Sequence, residues 1–251
     1  MSTALSVNLN KIALIRNSRE GNYPNVVEFG QRCLDAGAHG ITVHPRPDGR
    51  HIRPQDVFAL RELVARHPNT EFNIEGNPFA PAQGNYPGLL QLIKDTAPHQ
   101  ATLVPDTDSQ LTSDHGFDLI QSGAQVAPIL AELKKLKVRS SLFMDPDCAQ
   151  IELCRQLGGD RIELYTGPFA AAHLANSADL PALLAQYIAA ANTAHALGLG
   201  VNAGHDLNLL NMPIFKQVPH LAEVSIGHAL TVDALLMGWD KAVKAYLDLC
   251  A

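Results

Sequence analysis

Two imidazoles and two guanidiniums, His44, Arg46, Arg50 and His51, fall within eight residues, separated by Pro45, Pro47, Asp48 and Gly49. Histidine moves protons near neutral pH, and arginine grips carboxylates or phosphates through a rigid fork. Together they point to acid–base chemistry on an anionic substrate. The prolines fix φ and disfavour helix, so the stretch is a stiff loop. Ile41, Thr42 and Val43 just before it form a β-branched run, which puts the loop at the C-terminal end of a buried strand. The plain alternative is a solvated basic loop. Recurrence of the same arrangement along the chain argues against it.

Asn8, Asn10 and Lys11 end or follow the run LSVNL; Glu75 ends TEFNIE; Glu163 lies in RIELY, ahead of Thr166 and Gly167. His205 follows LGVNA and Gly204, and Gly227 and His228 follow AEVSI. Taken singly, His44 reads equally well as a hydrogen-bonded histidine at the core edge. Glu75 and Glu163 sit where apolar side chains would fill an interior, and a structural role there needs a buried partner. Small residues before His205 let a ligand approach the backbone. His228 either begins the last helix or, with Gly227, offers backbone N–H groups to a phosphate. His39, His67, His99, His173, His195 and His220 fall in helices or turns without partners and are assigned no role. The set fits two chemistries. One is a divalent metal for hydrolysis, but no HxH follows the first strand and the loop cations would repel it. The other is metal-free proton transfer by His44, Glu75 and His205 on substrates whose phosphates Arg19, Arg46 and the Gly227–His228 turn would hold.

The elements that must position these residues follow from periodicity. Strands are expected at 5–9, 40–44, 70–75, 99–104, 138–144, 161–165, 199–203 and 222–226. Helices are expected at 25–36 with Gly37 as its stop, and at 54–66, 89–96, 126–136, 147–157, 180–197, 207–217 and 231–249. Residues 10–25 read as a polar loop carrying Lys11, Arg16 and Arg19, and 105–116 as a long polar segment of the kind that forms lids, with Thr112 in it. Segments 117–122 and 168–175 read as extra helices inserted in βα loops. Eight strands alternating with helices predict a (β/α)8 TIM barrel forming one catalytic domain over 1–251. A doubly wound sheet is the runner-up, but no glycine fingerprint follows the first strand. The last helix carries an apolar stripe, Leu235, Leu236, Trp239, Val243 and Leu247, read as core with a subunit interface as the alternative.

Composition narrows the class. The chain has 251 residues, 46% of them hydrophobic, and a net charge of −6. That balance disfavours a general nucleic-acid or membrane binder, so any anion site is a local basic pocket. Cys33, Cys148, Cys154 and Cys250 form no CxxC pair and read as reduced thiols in a cytoplasmic protein. The first residues, interrupted by Asn8, Asn10 and Lys11, do not read as a signal peptide, and no apolar run is long enough for a membrane span.

The segments VNLNKIALIRNSR, GITVHPRPDGRHI, FNIEG, TLVPD, IELYTG, VNAGH and SIGHAL, in this order, resemble the pyridoxine 5′-phosphate synthase family of deoxyxylulose-dependent vitamin B6 biosynthesis over nearly the whole chain. The resemblance implies a barrel with extra helices, often assembled as an octamer, with no cofactor. It implies condensation of 1-deoxy-D-xylulose 5-phosphate with 3-amino-2-oxopropyl phosphate to pyridoxine 5′-phosphate, phosphate and water. On matching positions it implies His44 and Glu75 as proton acceptors, His205 as proton donor and Glu163 as transition-state stabiliser. Asn8, Arg19, Gly227 and His228 would contact the amino-ketone phosphate, and Arg46, His51 and Thr112 the deoxyxylulose phosphate. Many members have Asp-His where this chain has Asn10 and Lys11, at the deoxyxylulose phosphate, and Gly where it has Asp206 beside the amino-ketone. Two other readings stay open on the residues alone. One is a sugar-phosphate aldolase or epimerase, although every lysine reads as loop or helix. The other is a non-catalytic phosphate-ligand binder.

Overall fold

The computed structural model describes residues 2–107 and 109–251; Asp108, within the polar stretch 105–116, lies outside the described residues. The strands are β1 (Ala4–Asn8), β2 (Gly40–Val43), β3 (Glu71–Gly76), β4 (Gln100–Leu103), β5 (Arg139–Met144), β6 (Arg161–Tyr165), β7 (Gly200–His205) and β8 (Leu221–Ile226). Each pairs in parallel with the next and β8 pairs back to β1, closing a barrel. The helices are α1 (Asn10–Asn17), α2 (Val26–Asp35), α3 (Pro54–Ala65), α4 (Leu89–Thr96), α5 (Leu119–Lys135), α6 (Cys148–Leu157), α7 (Gly167–Leu174), α8 (Leu180–Ala196), α9 (Met212–Phe215), α10 (His228–Met237) and α11 (Trp239–Cys250). The (β/α)8 expectation is met.

Strand alternation sorts side chains to two sides. Leu5, Val7, Ile41, Val43, Phe72, Ile74, Leu142, Ile162, Leu164, Val201 and Ile226 are buried in the apolar core shared with the helices. The alternate set, Ser6, Thr42, Asn73, Thr102, Glu163, Asn202, Glu223 and Ser225, is equally buried but polar. Its hydrogen bonds join neighbouring strands and also strands that are not neighbours. Gln100 Nε2 donates to Glu223 Oε1 (3.2 Å), and Ser225 Oγ donates to Glu75 Oε1 (3.4 Å). Such bonds cross the lumen, so the barrel is lined with polar groups that satisfy one another. Among the described residues Ser141 Oγ is buried without a hydrogen bond.

Four expectations need correction. Residues 10–17 are helix: Ile12 and Ala13 pack inward, and Arg16, read as a loop cation, is 1% exposed and paired with Asp56. Its Nη1 and Nη2 donate to the Asp56 carboxylate at 2.6 and 2.8 Å, and Nη2 also donates to His51 O at 3.1 Å. The break expected at 122–126 is absent. Asp118 caps one continuous helix, and Gly123 allows close packing on Leu157 of α6. The last helix is split at Gly238, whose φ of +87° suits glycine. Consequently Trp239 and Val243 are core and Leu247 packs against it, whereas Leu235 and Leu236 are 77% and 84% exposed. Of the two predicted insertions only 168–175 is a separate helix, α7; α1 and α10 are the others.

Arg16 ties the loop after β2 to α3 through a buried charge. Replacing it with Met leaves Asp56 unpaired, so R16M should lose about 3–5 kcal/mol of stability. Urea unfolding of the two proteins measures this, and a loss under ~1 kcal/mol would contradict a buried, fully engaged pair.

Candidate active site

The βα ends enclose a cavity of about 360 Å³ lined by residues from β1, β3, β5, β6, β7 and β8 and from the segments after β1, β2, β4, β7 and β8. That is large enough for a small ligand. His44, Glu75, Glu163 and His205 all line it, as do Asn8, Asn10, Lys11, Arg46, His51, Thr112, Asp206, Gly227 and His228. Arg19 does not. Helix α1 ends at Asn17 with Arg16 turned inward, and the chain then leaves over the surface with Arg19 exposed. The lining also includes Leu14, Arg50, Ser113, Phe143 and Ser225. Arg50 stood in plain view in the β2 loop. Ser113 and Ser225 carried no sequence signal, because hydroxyls are too common to single out.

The floor is the upper end of the polar lumen. Glu75 accepts from Asn8 Nδ2 (3.3 Å) and Ser225 Oγ (3.4 Å), and Glu163 from Thr102 Oγ1 (3.4 Å). A methyl group on Gly204 would overlap Glu163 Oε1, so only glycine leaves room for that carboxylate. Burial pushes Glu75 up to about 8, helped by the charges of Glu223 and Asp106 and opposed by Ser225 and Arg46. Burial also raises Glu163 well above the carboxylate range, reinforced by Glu75 and Glu223. His44 is driven the other way, first by burial and then by Arg46 and Arg50. Its Nδ1 lies 3.8 Å from Glu75 Oε2 and its Nε2 3.4 Å from Asp106 Oδ2. With both His44 and Glu75 pushed toward neutral forms, they are an acid and a base poised for transfer rather than an ion pair.

His44 is aimed from its backbone, whose N–H donates to Asn10 Oδ1 (2.9 Å), while Asn8 Oδ1 accepts from Asn10 N (2.9 Å). His51 is held neutral, its pKa lowered to about 2 by burial and then by His44 and the nearby cations. Its Nδ1 accepts from Ile52 N (2.9 Å), which leaves Nε2 as the protonated, donating nitrogen. Asp106 pairs with Arg46 and accepts from Ser113 Oγ at 3.1 Å. Arg50 donates to the carbonyls of Gln110 (2.8 Å) and Leu111 (3.2 Å). The polar segment is thereby drawn over the mouth, and Thr112 Oγ1 reaches His205 Nε2 at 2.7 Å.

The rim is cationic. Lys11 is half-buried, has no hydrogen bond or ion pair among the described residues, and has its pKa lowered by burial and then by Arg46. Lys11, expected in a loop, lies in the first turn of α1 and lines the cavity from there. Gly227 and His228 bring the N-terminus of α10 to the same space, a favourable place for an anion. No three His, Cys, Asp or Glu among the described residues are arranged to hold a metal ion, and no helix is long and apolar enough to cross a membrane.

Two of the histidines assigned no role have structural ones. His39 Nδ1 accepts from Leu5 N (3.0 Å) and His99 Nδ1 from Phe72 N (2.9 Å), each finishing a strand's entry into the barrel.

Fold and site together define a TIM-barrel protein with an acid–base centre in its mouth and a cationic rim suited to phosphates. Comparison with known proteins narrows this. The family described as pyridoxal phosphate biosynthesis protein PdxJ matches residues 5–251, and the chain belongs to that family. It is 56% identical over 250 residues to the pyridoxine 5′-phosphate synthase of Xanthomonas axonopodis pv. citri, spanning 99% of this chain and 97% of that one. The Xylella fastidiosa pyridoxine 5′-phosphate synthase is 52% identical over 248 residues, spanning 98% and 94%. Among solved structures, a tryptophan synthase α-subunit from Pyrococcus furiosus superposes with a TM-score of 0.63 at 13% identity, covering 98% of each chain. A 3-hexulose-6-phosphate synthase does so at 0.62 and 14%, covering 100% of each. Those two likenesses are of fold alone.

Unfolded, Glu75 ionises near 4.5; folded, it keeps its proton to about 8. Between those values the folded state binds the extra proton, so stability falls as pH rises and levels off above about 8. In E75Q that contribution disappears, and the falling slope should be shallower by up to about 1.4 kcal/mol per pH unit. Urea midpoints across the window test this; identical slopes would place the Glu75 pKa in the ordinary range.

Proposed function

We propose that this chain is a pyridoxine 5′-phosphate synthase acting as a single catalytic domain, joining 1-deoxy-D-xylulose 5-phosphate and 3-amino-2-oxopropyl phosphate into pyridoxine 5′-phosphate, phosphate and water. The observation that carries the reading is the convergence of His44, Glu75, Glu163 and His205 on one cavity with a cationic rim. Joining an amine to a ketone and closing a ring require repeated proton transfers. His44, neutral as it stands, and Glu75, in its ionised form, take protons from carbon and nitrogen centres, and the raised pKa of Glu75 makes that carboxylate a stronger base than an ordinary one. His205 protonates the departing oxygen. Glu163, uncharged in the lumen, donates a hydrogen bond to developing negative charge.

The rim holds the two phosphates. The N-terminus of α10 at Gly227 and His228, with Asn8, takes that of the amino-ketone. Arg46, His51, Thr112, Asn10 and Lys11 take that of the deoxyxylulose phosphate. The mouth cations Lys11, Arg46 and Arg50 disfavour a divalent ion in the same space, so the chemistry runs without metal. A polar segment drawn across the mouth limits water around steps that release it. The reaction belongs to the cytoplasm, where phosphorylated intermediates are kept.

Supplied with both substrates, the purified chain should form pyridoxine 5′-phosphate and release phosphate, unaffected by EDTA. H44A and E75Q should each lower turnover by ~10²-fold or more. Full turnover in either variant would remove it from the mechanism. Product binding without turnover in the unmodified chain would select a non-catalytic role.

The active form is a homo-oligomer, an octamer by family. Helices α1 and α10 pack side by side and present Leu14, Ile15, Val232, Leu235 and Leu236 to solvent, an apolar face suited to a second copy. Replacing Leu235 and Leu236 together with Glu should yield a smaller species by sedimentation. An unchanged sedimentation coefficient would move the interface elsewhere.

A further inference from the structure

The end of β7 carries a feature that the proton-transfer scheme leaves unused. His205 has a φ of +100°, a region costly for any residue with a Cβ. The cost falls on a residue whose ring is held on three sides. Nδ1 lies 2.8 Å from Asp206 Oδ2, Nε2 lies 2.7 Å from Thr112 Oγ1, and the Tyr165 ring meets it edge-on with centroids 5.2 Å apart. Asp206 is itself anchored, its carbonyl accepting from Asn211 Nδ2 at 3.1 Å and Asn211 being 1% exposed.

Asp206 differs from the other carboxylates lining the cavity. Glu75 and Glu163 are pushed toward their protonated forms, whereas the hydrogen bond from His205 holds Asp206 below the usual carboxylate range, with lesser help from His228 and Lys11. An ionised carboxylate can only accept, so the bond at 2.8 Å places the proton on Nδ1. Nε2 is then the ring atom that exchanges protons with a bound substrate, taking one up first and, as the imidazolium paired with Asp206, delivering it to the departing oxygen; Thr112 meets that atom.

We propose that Asp206 is a positioning residue for His205, fixing the imidazole with Nδ1 protonated so that Nε2 alone faces the substrate. This rests on His205 as the proton donor of the proposed reaction. Asp206 touches no reacting atom. It acts by removing the ring's second orientation and second tautomer, either of which would present the wrong nitrogen.

Two measurements test it. In the full-length chain with ¹⁵N-labelled histidine, the neutral His205 ring should show a protonated Nδ1 and an unprotonated Nε2, assigned by comparison with H205Q. In D206N and D206G the ring should shift toward the Nε2–H tautomer or a mixture, and D206E should restore the original pattern at least in part. In the coupled assay D206N should lower kcat by ~10- to ~10²-fold, less than for a fully buried Asp–His pair, with KM for both substrates changed under ~3-fold. A wild-type ring protonated on Nε2, or a tautomer unmoved in both variants, overturns the proposal. So does a kcat within ~2-fold of wild type in both variants. The NMR result does not depend on turnover. A chain that makes no pyridoxine 5′-phosphate but shows the expected tautomers therefore counts against the reaction and not against the Asp206–His205 pair.

Discussion

Carboxylates shut inside a closed barrel govern the behaviour of this protein. Glu75, Glu163 and Glu223 are each under 10% exposed, and each pushes up the pKa of at least one of the others or has its own pushed up by it. A single buried carboxylate can be rescued by a guanidinium, but three in one lumen cannot all be ionised cheaply. The structure resolves this by height. At the lower end Arg139 spans Glu71 and Gln100, and Arg161, with Asn202 and Gln100, lies beside Glu223. At the upper end, among the described residues, Glu75 and Glu163 have only neutral hydrogen-bond donors, Asn8, Ser225 and Thr102. Charge is compensated below and left unsettled above, which is where a ligand can reach it.

The same arrangement separates the two tasks of the site. In the proposed reaction proton transfer belongs to the floor, where burial drives Glu75 and His44 toward neutral forms and reverses the ordinary order of their affinities for a proton. The proposed anion binding belongs to the rim, where Lys11, Arg46, Arg50 and the start of α10 gather in a chain whose net charge is −6. Had a cation sat beside Glu75 on the floor, it would have held that carboxylate ionised and weakened it as a base. Asp106 keeps Arg46 occupied just above, so the guanidinium is positioned without descending to Glu75.

The loop after β2 is held to this geometry from outside the cavity. Arg16 and Asn17 of α1 both donate to His51 O, at 3.1 and 2.7 Å, and Arg16 pairs with Asp56 at the start of α3. Helix α1 therefore does two things at once: its first turn presents Asn10 and Lys11 to the cavity, and its last turn fastens the far end of the loop carrying Arg46, Arg50 and His51.

Much of this was written in local pattern. β-Branched runs followed by abrupt polarity located the strands and their functional ends, and polar residues at those ends converge in any closed parallel barrel. That is why His44, Glu75, Glu163 and His205 could be picked out separately, along with the rim residues from Asn8 to His228. Helix boundaries with strong caps, such as Asn25, Asp147 and Pro54, were legible for the same reason. Long-range pairing was not. Arg16 looks like any loop arginine until α3 brings Asp56 to it, and Arg19 looks like its equal until α1 turns one inward and sends the other to the surface. Asp106 gains meaning only beside Arg46 and His44, and Asp206 only once a positive φ at His205 lays the ring against it. Sequence determines which residues are polar and which end of a strand they occupy, because those depend on near neighbours. Which charges meet, and hence which groups keep their protons, depends on distances across the barrel that only the closed fold creates.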